Sequence, residues 1–257
     1  MNVKAKKHLG QHFLTDENIA KKIVEGLDFQ PYQYVLEVGP GTGVLTKYLL
    51  EKPTETYVAE IDTESIEYLK LHFQKLENKH FTGDFLKINL NDIFSGEVAI
   101  IGNFPYNISS QILFKIIENY QQIPEMVGMF QKEVAERTAA VPRTKDYGIL
   151  SVLVQAYYDV KYLFTVHENV FNPPPKVKSG VIKLTRNRKE GLEGNEILFK
   201  QIVKTGFGQR RKKLSNALKS LEIPEVLKSH AFMDKRAEEL SVEDFINLTQ
   251  ECKAAKN

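Results

Sequence analysis

The sequence predicts an α/β protein whose mostly parallel, seven-stranded sheet is followed by a small domain made only of helices. Short runs rich in β-branched and aromatic residues alternate with segments of helical periodicity over the first part of the chain, which is the pattern of strands joined by crossover helices. From residue 195 onwards the helical periodicity continues without a strand pattern. A chain of 257 residues is long enough for one domain of ordinary size and a smaller second one.

Seven segments have the composition of strands. They are YVLEVG at 34–39, TYVAEI at 56–61, HFTGD at 80–84, VAIIGN at 98–103, MVGMFQ at 126–131, the aromatic segment at 162–166 and VIKLT at 181–185. Helical patterns at 63–77 and 109–121 separate them, and Thr15 or Asp16 is placed to cap a first helix. A Gly- and Glu-containing joint at 189–196 separates the two predicted domains, 1–188 and 189–257.

Bulk composition predicts a soluble, cytoplasmic protein that folds without disulfides. Hydrophobic residues make up 42% of the chain, which is enough for a large core. Cys252 is the single cysteine, so the chain has neither an intramolecular disulfide nor a multi-thiolate zinc site. No apolar run has the length of a signal peptide or of a membrane span. No large apolar repeat indicates an obligate oligomer, and we predict a monomer.

Positive charge is concentrated in three stretches that contain no acidic residue. Residues 1–15, 169–189 and 197–221 together hold 16 of the 35 Lys and Arg residues. This asymmetry favours a polyanionic partner, because neutralised phosphates release counterions on binding. We predict RNA-phosphate contacts from Lys6, Lys7, Arg210, Arg211, Lys212 and Lys213. For any single run, a solvated basic face is the alternative interpretation.

A glycine-rich turn follows the first strand of the predicted sheet. Residues 37–43 read EVGPGTG, and glycines here let the backbone approach a ligand at the strand ends where open α/β sheets bind cofactors. Val44 stands where a dinucleotide-binding turn would have its third glycine, which argues against NAD or FAD. A tight turn that binds nothing is the alternative.

Two acidic residues end the next two predicted strands. Glu60 lies 19 residues after Gly41 and is placed to accept hydrogen bonds from both hydroxyls of a ribose, since a carboxylate is a pure acceptor. Asp84 ends the third strand, where the exocyclic amine of an adenine would need an acceptor. Either acid alone has the alternative role of a helix cap.

Asn103, Phe104, Pro105 and Tyr106 end the fourth predicted strand. An aryl amine is a poor nucleophile because its lone pair is delocalised into the ring, and acceptors on its two hydrogens return electron density to nitrogen. The Asn103 side-chain oxygen and a backbone carbonyl at Phe104 or Pro105 can accept those hydrogens, and Tyr106 offers a stacking face to an unpaired base. If such an amine attacks the methyl group of a sulfonium donor, the reaction is a direct displacement that requires no metal and no strong general base.

With these motifs the chain resembles the small-subunit rRNA adenine-N6,N6-dimethyltransferase family of the KsgA/RsmA type. Besides EVGPGTG and NFPYNISS, the resemblance includes KKHLGQHFL at 6–14, FNPPPKVKSGV at 171–181 and FGQRRKKLSNAL at 207–218, so it extends over essentially the whole chain. It implies a Rossmann-like class I methyltransferase domain that uses S-adenosyl-L-methionine. The implied substrate is 16S rRNA in the assembling small ribosomal subunit, where two adjacent adenines of the 3′-terminal hairpin are each dimethylated.

By motif position the resemblance also implies site residues. Those implied to bind the cofactor are His12, Leu14, Gly39, Gly41, Glu60, Ile61, Asp84, Phe85 and Asn103. Those implied to handle the target amine are Asn103, Pro105 and Tyr106, with Phe171 as the second face of a base sandwich. An aromatic core position is the alternative for Phe171. The sequence departs from the family at two places, because His12 stands where Asn is more frequent and Phe104 where Leu is.

Two other functions stay open from the sequence. A large-subunit rRNA adenine methyltransferase of the macrolide-resistance type shares the glycine turn and an N-x-P-Y motif, although FGQRRKKL and the NISS after Tyr106 favour the small-subunit enzyme. A ribosome assembly factor with secondary catalysis is the other. The complete set of Glu60, Asp84 and NFPY argues against lost catalysis.

Overall fold

The structure of the protein is a computed structural model that describes residues 3–221, 223–227 and 230–255. These residues form two compact units. The first comprises the chain up to Glu136 together with the return segment Asp159–Arg186, and the second comprises Arg137–Tyr158 and the chain from Asn187 onwards. The outermost residues of the two predicted domains, 1–2 and 256–257, lie outside the described residues.

The first unit alternates strands and helices. The strands that belong to it are β1 (Phe13–Leu14), β2 (Tyr34–Val38), β3 (Glu55–Ala59), β4 (Val98–Asn103), β5 (Glu125–Gln131), β6 (Tyr158–Val166), β7 (Phe171–Asn172) and β8 (Ser179–Arg186). The helices are α1 (Glu17–Val24), α2 (Thr46–Leu49), α3 (Thr63–His72), α4 (Ser109–Glu118) and α5 (Lys132–Thr138), which runs past the end of the unit. Asp16, one of the two predicted caps, begins α1 by accepting hydrogen bonds from the backbone N–H groups of Asn18 and Ile19.

Six strands form the central sheet in the order β3-β2-β4-β5-β8-β6. β2 pairs in parallel with both β3 and β4, and β4 pairs in parallel with β5. β8 pairs with β5 in the antiparallel direction. The predicted mostly parallel sheet is therefore confirmed, and the carboxyl ends of β2, β3 and β4 lie along one edge, where open α/β sheets bind their ligands.

The third of the seven predicted strands, at 80–84, is reduced to a single bridge in the described part of the chain. Phe81 pairs in parallel with Val58, and the N–H of Thr82 donates to the carbonyl of Val58 at 2.9 Å. Gly83 then has a φ of +83°, a left-handed conformation that ends the extended backbone. The expectation of seven strands was wrong because β-rich composition cannot show that this glycine leaves the strand conformation.

The core of the first unit lies where α1 packs against one face of the sheet. Ile23, Val35, Ile101, Val127 and Met129 all belong to one hydrophobic cluster and have no exposed surface. Burying an aliphatic side chain of this size stabilises a fold by about 1.5–3 kcal/mol relative to leaving it in water. This packing holds the strands rigidly, so that polar residues at their carboxyl ends keep fixed positions.

The second unit is helical, as the absence of a strand pattern predicted. Its helices are α6 (Ile149–Gln155), α7 (Glu196–Gly208), α8 (Leu214–Ala217) and α9 (Val242–Ala254). Phe199, Ile202 and Phe245 are buried in it. A capping box begins α9, because the Ser241 hydroxyl accepts from the Asp244 N–H and the Asp244 carboxylate accepts from the Ser241 N–H.

The two units divide the chain differently from the predicted boundary at residue 188. Residues 137–158, expected in the sheet domain, cluster with the C-terminal helices. Tyr147 shows why, since its ring is completely buried, lies 6.0 Å from that of Phe207 and its hydroxyl donates to the carbonyl of Leu240 at 3.0 Å. Sequence periodicity cannot reveal such long-range packing. None of the described helices is both long enough and apolar enough to cross a membrane.

Candidate active site

The glycine turn after β2 is shaped by close packing. Gly39, Gly41 and Gly43 have φ values of +70°, +55° and +82°, which L side chains rarely adopt. A Cβ on Gly41 would lie 2.7 Å from a ring carbon of Phe13, and one on Gly43 would lie 2.4 Å from the ring of Phe73. The turn therefore needs glycine for its backbone conformation and for the aromatic rings that pack on it.

Glu60 directly follows β3 and faces this turn. Its Oε1 accepts from the N–H groups of Ile61 and Asp62, both at 2.9 Å, and its Oε2 accepts from the N–H of Gly41 at 3.3 Å. Only 7% of the residue is exposed. Burial raises the pKa of Glu60, while the backbone hydrogen bonds from Asp62, Gly41 and Ile61 act in the opposite direction. The backbone thus fixes the carboxylate in one orientation, ready to accept from a ligand.

Asn103 is held at the end of β4 by the N-terminal segment. Its Nδ2 donates to the backbone carbonyl of His12 at 2.7 Å, which fixes which end of the amide is the donor. The Asn103 Oδ1 accepts no hydrogen bond from any residue the structure describes. An oriented amide oxygen is therefore available to a ligand, as the chemistry of an aryl-amine nucleophile requires.

The structure explains how Phe104 is accommodated where the family more often has leucine. Its N–H donates to the carbonyl of Met129 at 3.1 Å, and its ring is buried. A Cβ on Gly128 would lie 2.0 Å from that ring, and one on Gly102 would lie 2.8 Å from it. Glycines on two adjacent strands therefore make the space for a ring at this position, and Phe104 also contributes to the lining of the cavity described below.

Tyr106 begins a short 3-10 helix, Tyr106–Ile108, ahead of α4. Its hydroxyl makes a short hydrogen bond with the hydroxyl of Ser179, at the start of β8. Its ring stacks on that of His12, with centroids 5.5 Å apart and an interplanar angle of 30°. His12 Nδ1 in turn donates to the carbonyl of Pro173 at 2.8 Å. Burial raises the pKa of Tyr106, so the phenol stays neutral and acts by stacking and hydrogen bonding.

These elements surround one cavity of about 120 Å³. Its lining brings together eight of the predicted site residues, namely His12, Gly39, Gly41, Glu60, Ile61, Asn103, Pro105 and Tyr106. Leu14 lines a smaller cavity that shares Gly39 and Asn103 with the first. Asp84 and Phe85 line neither cavity: Asp84 accepts from the N–H of Leu86 and pairs with Lys87 at 3.4 Å, and Phe85 is buried.

Phe171 lies in the core and lines neither cavity. Only 4% of it is exposed, β7 pairs it with Leu14 of β1, and it belongs to the hydrophobic cluster described above. The structure therefore does not bring it to Tyr106, whose stacking partner is His12. The antiparallel pairing of β1 with β7 accounts for this, because it turns Phe171 into the apolar interior.

Two site residues were missed by sequence reasoning. Glu37 is 1% exposed, its Oε2 accepts from the Thr46 hydroxyl at 2.6 Å, and burial raises its pKa to about 8, with the charge of Glu60 adding and the Thr46 hydrogen bond opposing. An acid within the apolar run YVLEV was a usable signal. Ser179 is completely buried against Tyr106; it lies within the motif FNPPPKVKSGV, but no local pattern indicated that its hydroxyl meets Tyr106.

The predicted phosphate contacts divide into paired and unpaired groups. Lys6 is paired with Asp62 and Glu64, so its ammonium is already neutralised within the protein. Arg210 is paired with Glu238 and donates to the carbonyl of Thr144, and Lys213 is paired with Asp234 at 2.9 Å. Of the six predicted contacts, Lys7, Arg211 and Lys212 are exposed and have no ion pair among the described residues.

The fold and the polar residues at its strand ends define a class I methyltransferase. Two solved structures are similar over nearly the whole chain. A dimethyladenosine transferase from Plasmodium falciparum has a TM-score of 0.83 at 26% identity, covering 95% of this chain and 98% of its own. The 23S rRNA methyltransferase ErmE has a TM-score of 0.69 at 26% identity, covering 94% and 99%.

The chain belongs to the ribosomal RNA adenine dimethylase family, whose sequence profile matches residues 2–254. It is 60% identical over 253 residues to the ribosomal RNA small subunit methyltransferase A of Flavobacterium johnsoniae, covering 98% of this chain and 97% of that relative. The protein is thus a methyltransferase whose cofactor is S-adenosyl-L-methionine, which confirms the predicted family, enzyme class and cofactor. The oriented Glu60 carboxylate and the glycine turn fit that cofactor chemically.

Proposed function

We propose that this protein dimethylates the N6 amines of two adjacent adenines in the 3′-terminal hairpin of 16S rRNA during assembly of the small ribosomal subunit. The observation that carries the proposal is the fixed amide of Asn103, whose nitrogen is bound to His12 and whose oxygen is left for a substrate hydrogen. The family and the name of the Flavobacterium johnsoniae relative support the choice of rRNA and of the small subunit.

Residues along the strand-end cavity would hold the cofactor. Glu60 would accept from the ribose hydroxyls, Ile61, which is 55% exposed, would pack on the base, and the turn at Gly39 and Gly41 would approach the methionyl part. The bound cofactor supplies an electrophilic methyl group on a sulfonium. Direct contacts from His12, Leu14, Asp84 and Phe85 stay predictions.

Asn103 and its neighbours would present the target amine. The Oδ1 of Asn103 would accept one amine hydrogen and a carbonyl at Phe104 or Pro105 the other, which raises the electron density on the attacking nitrogen. The Tyr106 ring, fixed by Ser179, would contact the unpaired base. The free amide oxygen thus performs the activation, and positioning supplies most of the rate.

RNA binding would use the exposed, unpaired cations. Lys7 belongs to the first unit, and Arg211 and Lys212 to the second, which we propose as an RNA-binding domain. Arg210 and Lys213 would instead shape the loop that presents them, since each already has an internal partner. We further propose that the protein acts as a monomer in the cytoplasm.

The function is tested on purified ribosomal subunits that lack the modification. Wild-type protein with labelled cofactor should methylate small subunits and not large ones, and mass spectrometry should find two adjacent dimethyladenosines. Asn103→Ala should lower the transfer rate about 100- to 1000-fold, because an oriented acceptor at the reacting atom is lost. An unchanged Tm of Asn103→Ala is the control for folding. Methylation of large subunits instead would establish the large-subunit alternative, and full activity in Asn103→Ala would refute the assigned site.

A further inference from the structure

One wall of the strand-end cavity is a segment at the N-terminus. Residues 8–13 all line the cavity, and we call residues 6–13 the N-terminal wall. Among the described residues, the backbone–backbone hydrogen bonds of 6–12 lie within the segment, from Leu9 and Gln11 to Lys6 and from Gly10 to Lys7. Ladder pairing to the rest of the unit begins only at Phe13. Side chains must therefore hold most of this wall in place.

The cavity behind the wall is partly open to solvent. It has a volume of about 120 Å³ and adjoins the smaller cavity beside Leu14 at Gly39 and Asn103. The other walls are the glycine turn after β2, the segment after β3, and the end of β4 with the short 3-10 helix that follows it, each of which is joined closely to a strand of the sheet. The N-terminal wall has the fewest backbone hydrogen bonds to the rest of the unit, so we expect it to be the wall that opens when a ligand enters or leaves.

Asp62 anchors the first part of this wall, and the His12 end is held separately by the Asn103 amide and the Pro173 carbonyl. Asp62 is 2% exposed, and its carboxylate accepts from the Lys6 ammonium and from Gln11 Nε2 at 3.4 Å. The backbone N–H of Lys6 donates to Gln11 Oε1 at 2.8 Å, so Lys6, Gln11 and Asp62 form a closed ring of hydrogen bonds. Burial acts to raise the pKa of Asp62, but the hydrogen bonds from Lys6, Ser65 and Gln11 hold it below its usual value. The carboxylate is therefore ionised at neutral pH.

The same carboxylate is rigidly tied to the sheet side of the cavity. The Asp62 N–H donates to Glu60 Oε1 at 2.9 Å, and the Asp62 side chain caps α3 by accepting from the N–H of Glu64 and the hydroxyl of Ser65. Opening the wall breaks the contacts of Lys6 and Gln11 and leaves this cap intact. Asp62 therefore keeps its position when the wall opens, and Lys6 moves away from it.

We propose that Lys6, Gln11 and Asp62 form a latch that keeps the N-terminal wall closed over the cofactor cavity and sets the rates at which cofactor and its product enter and leave. The proposal rests on the proposed cofactor site. It assigns Lys6 a positioning role within the enzyme in place of the predicted phosphate contact, because the ammonium is neutralised by Asp62 and Glu64.

A latch has a kinetic signature that a cofactor contact lacks. Weakening the latch makes opening more frequent with or without a bound ligand, so association and dissociation accelerate together and affinity changes less than either rate. Removing a direct contact instead raises the dissociation rate alone, which is the usual effect of interface mutations. The Lys6 ammonium is partly exposed and the Asp62 carboxylate is buried. For the loss of such a pair we expect association and dissociation to accelerate about fivefold.

The test is stopped-flow binding of S-adenosylhomocysteine to the full chain. Lys6→Met removes the ammonium but keeps the aliphatic stem, and Asp62→Asn removes the charge while keeping an oxygen to cap α3. Each single variant should accelerate association and dissociation about fivefold. The double variant should accelerate them by the same factor, because both substitutions remove one shared interaction. Lys6→Arg should restore the wild-type rates. The matched control is Lys79→Met, which breaks an exposed ion pair with Glu55 and should leave both rates unchanged.

Amide hydrogen exchange supplies the second readout. Peptides covering residues 6–13 should exchange faster in Lys6→Met than in wild type, whereas peptides from α3 should not. Unchanged binding rates in Lys6→Met would overturn the latch, as would faster dissociation without faster association. Glu60→Gln separates the two proposals, because it should raise the dissociation constant for S-adenosylhomocysteine. If Glu60→Gln binds as tightly as wild type, the cofactor site itself is refuted and the latch with it.

Discussion

The strand-end cavity and the basic run at 210–213 were both marked by sequence motifs, but the structure treats them differently. Around the cavity, most of the predicted residues lie together, and their polar atoms are oriented by neighbours, as the Asn103 amide is by His12. In the basic run, two of the four cations, Arg210 and Lys213, form ion pairs with acidic residues of the protein itself. A motif that depends on backbone conformation thus predicts the position of its residues better than a run of charges predicts their partners. The reason is that a surface charge can pair with residues from any part of the chain.

The largest effect that would sharpen this comparison is the pH dependence that burial gives to Glu37. Its folded-state pKa, about 8, lies above the value of about 4.5 in an unfolded chain, so the folded protein keeps a proton that the unfolded chain releases. The contribution of Glu37 to stability is therefore present at low pH and lost as the pH rises through this window. Between pH 5.5 and 8, wild type should lose about 5 °C or more of Tm relative to Glu37→Gln.

The glutamine variant keeps an oxygen for the Thr46 hydroxyl, so the comparison isolates ionisation. Glu51→Gln, at an exposed carboxyl, is the control and should follow wild type at every pH. Thermal melts of the three proteins across the pH range are sufficient. Parallel Tm profiles for wild type and Glu37→Gln would show that Glu37 is already ionised at pH 5.5, and that burial does not govern this end of the sheet.

The second effect concerns the basic run and compares two variants that remove the same charge. Arg211→Gln with Lys212→Gln should weaken RNA binding about tenfold and reduce the slope of log K against log salt by about 1.5–2. Arg210→Gln with Lys213→Gln should change that slope less and lower Tm, because it breaks the contacts to Glu238, Thr144 and Asp234. Binding to a 16S rRNA fragment at several salt concentrations measures both slopes.

Equal slopes for the two double variants would show that the internal ion pairs open when RNA binds. The basic run would then act as one uniform patch, as the sequence alone suggested. A Tm change confined to the Arg210 and Lys213 variant would keep the division into structural and exposed cations. The two measurements together decide whether the ion pairs seen in the free protein persist on RNA.

The extent to which the sequence predicted the site follows from the range of the interactions involved. The glycine turn and Asn103 could be predicted because strand ends and positive-φ glycines are local features. The third predicted strand, at 80–84, is reduced to a bridge because Gly83 adopts a positive φ, which the composition of the segment does not reveal. Phe171 was placed by motif position and Lys6 by the charge of its stretch, and their actual surroundings come from residues distant in the chain, Leu14 and Asp62.

The smallest expected effect tests whether the order at the strand ends extends to the substrate side. Ser179→Ala removes the hydrogen-bond partner of the Tyr106 hydroxyl, and a lost neutral hydrogen bond corresponds to about a 2- to 10-fold change. We expect a KM for small subunits that is higher by this factor, with unchanged affinity for S-adenosylhomocysteine, since the bond orients the ring and does not touch the cofactor turn.

Tyr106→Phe removes the other half of the same bond and keeps the ring. If the hydrogen bond acts only by orienting that ring, Tyr106→Phe, Ser179→Ala and the double variant should have the same KM, because each loses one shared interaction. Additive effects would mean that the two hydroxyls act separately, for instance if one of them contacts RNA. An unchanged KM in all three variants would show that stacking by His12 is enough to hold the ring. The orientation of Tyr106 would then depend on the N-terminal wall and not on β8.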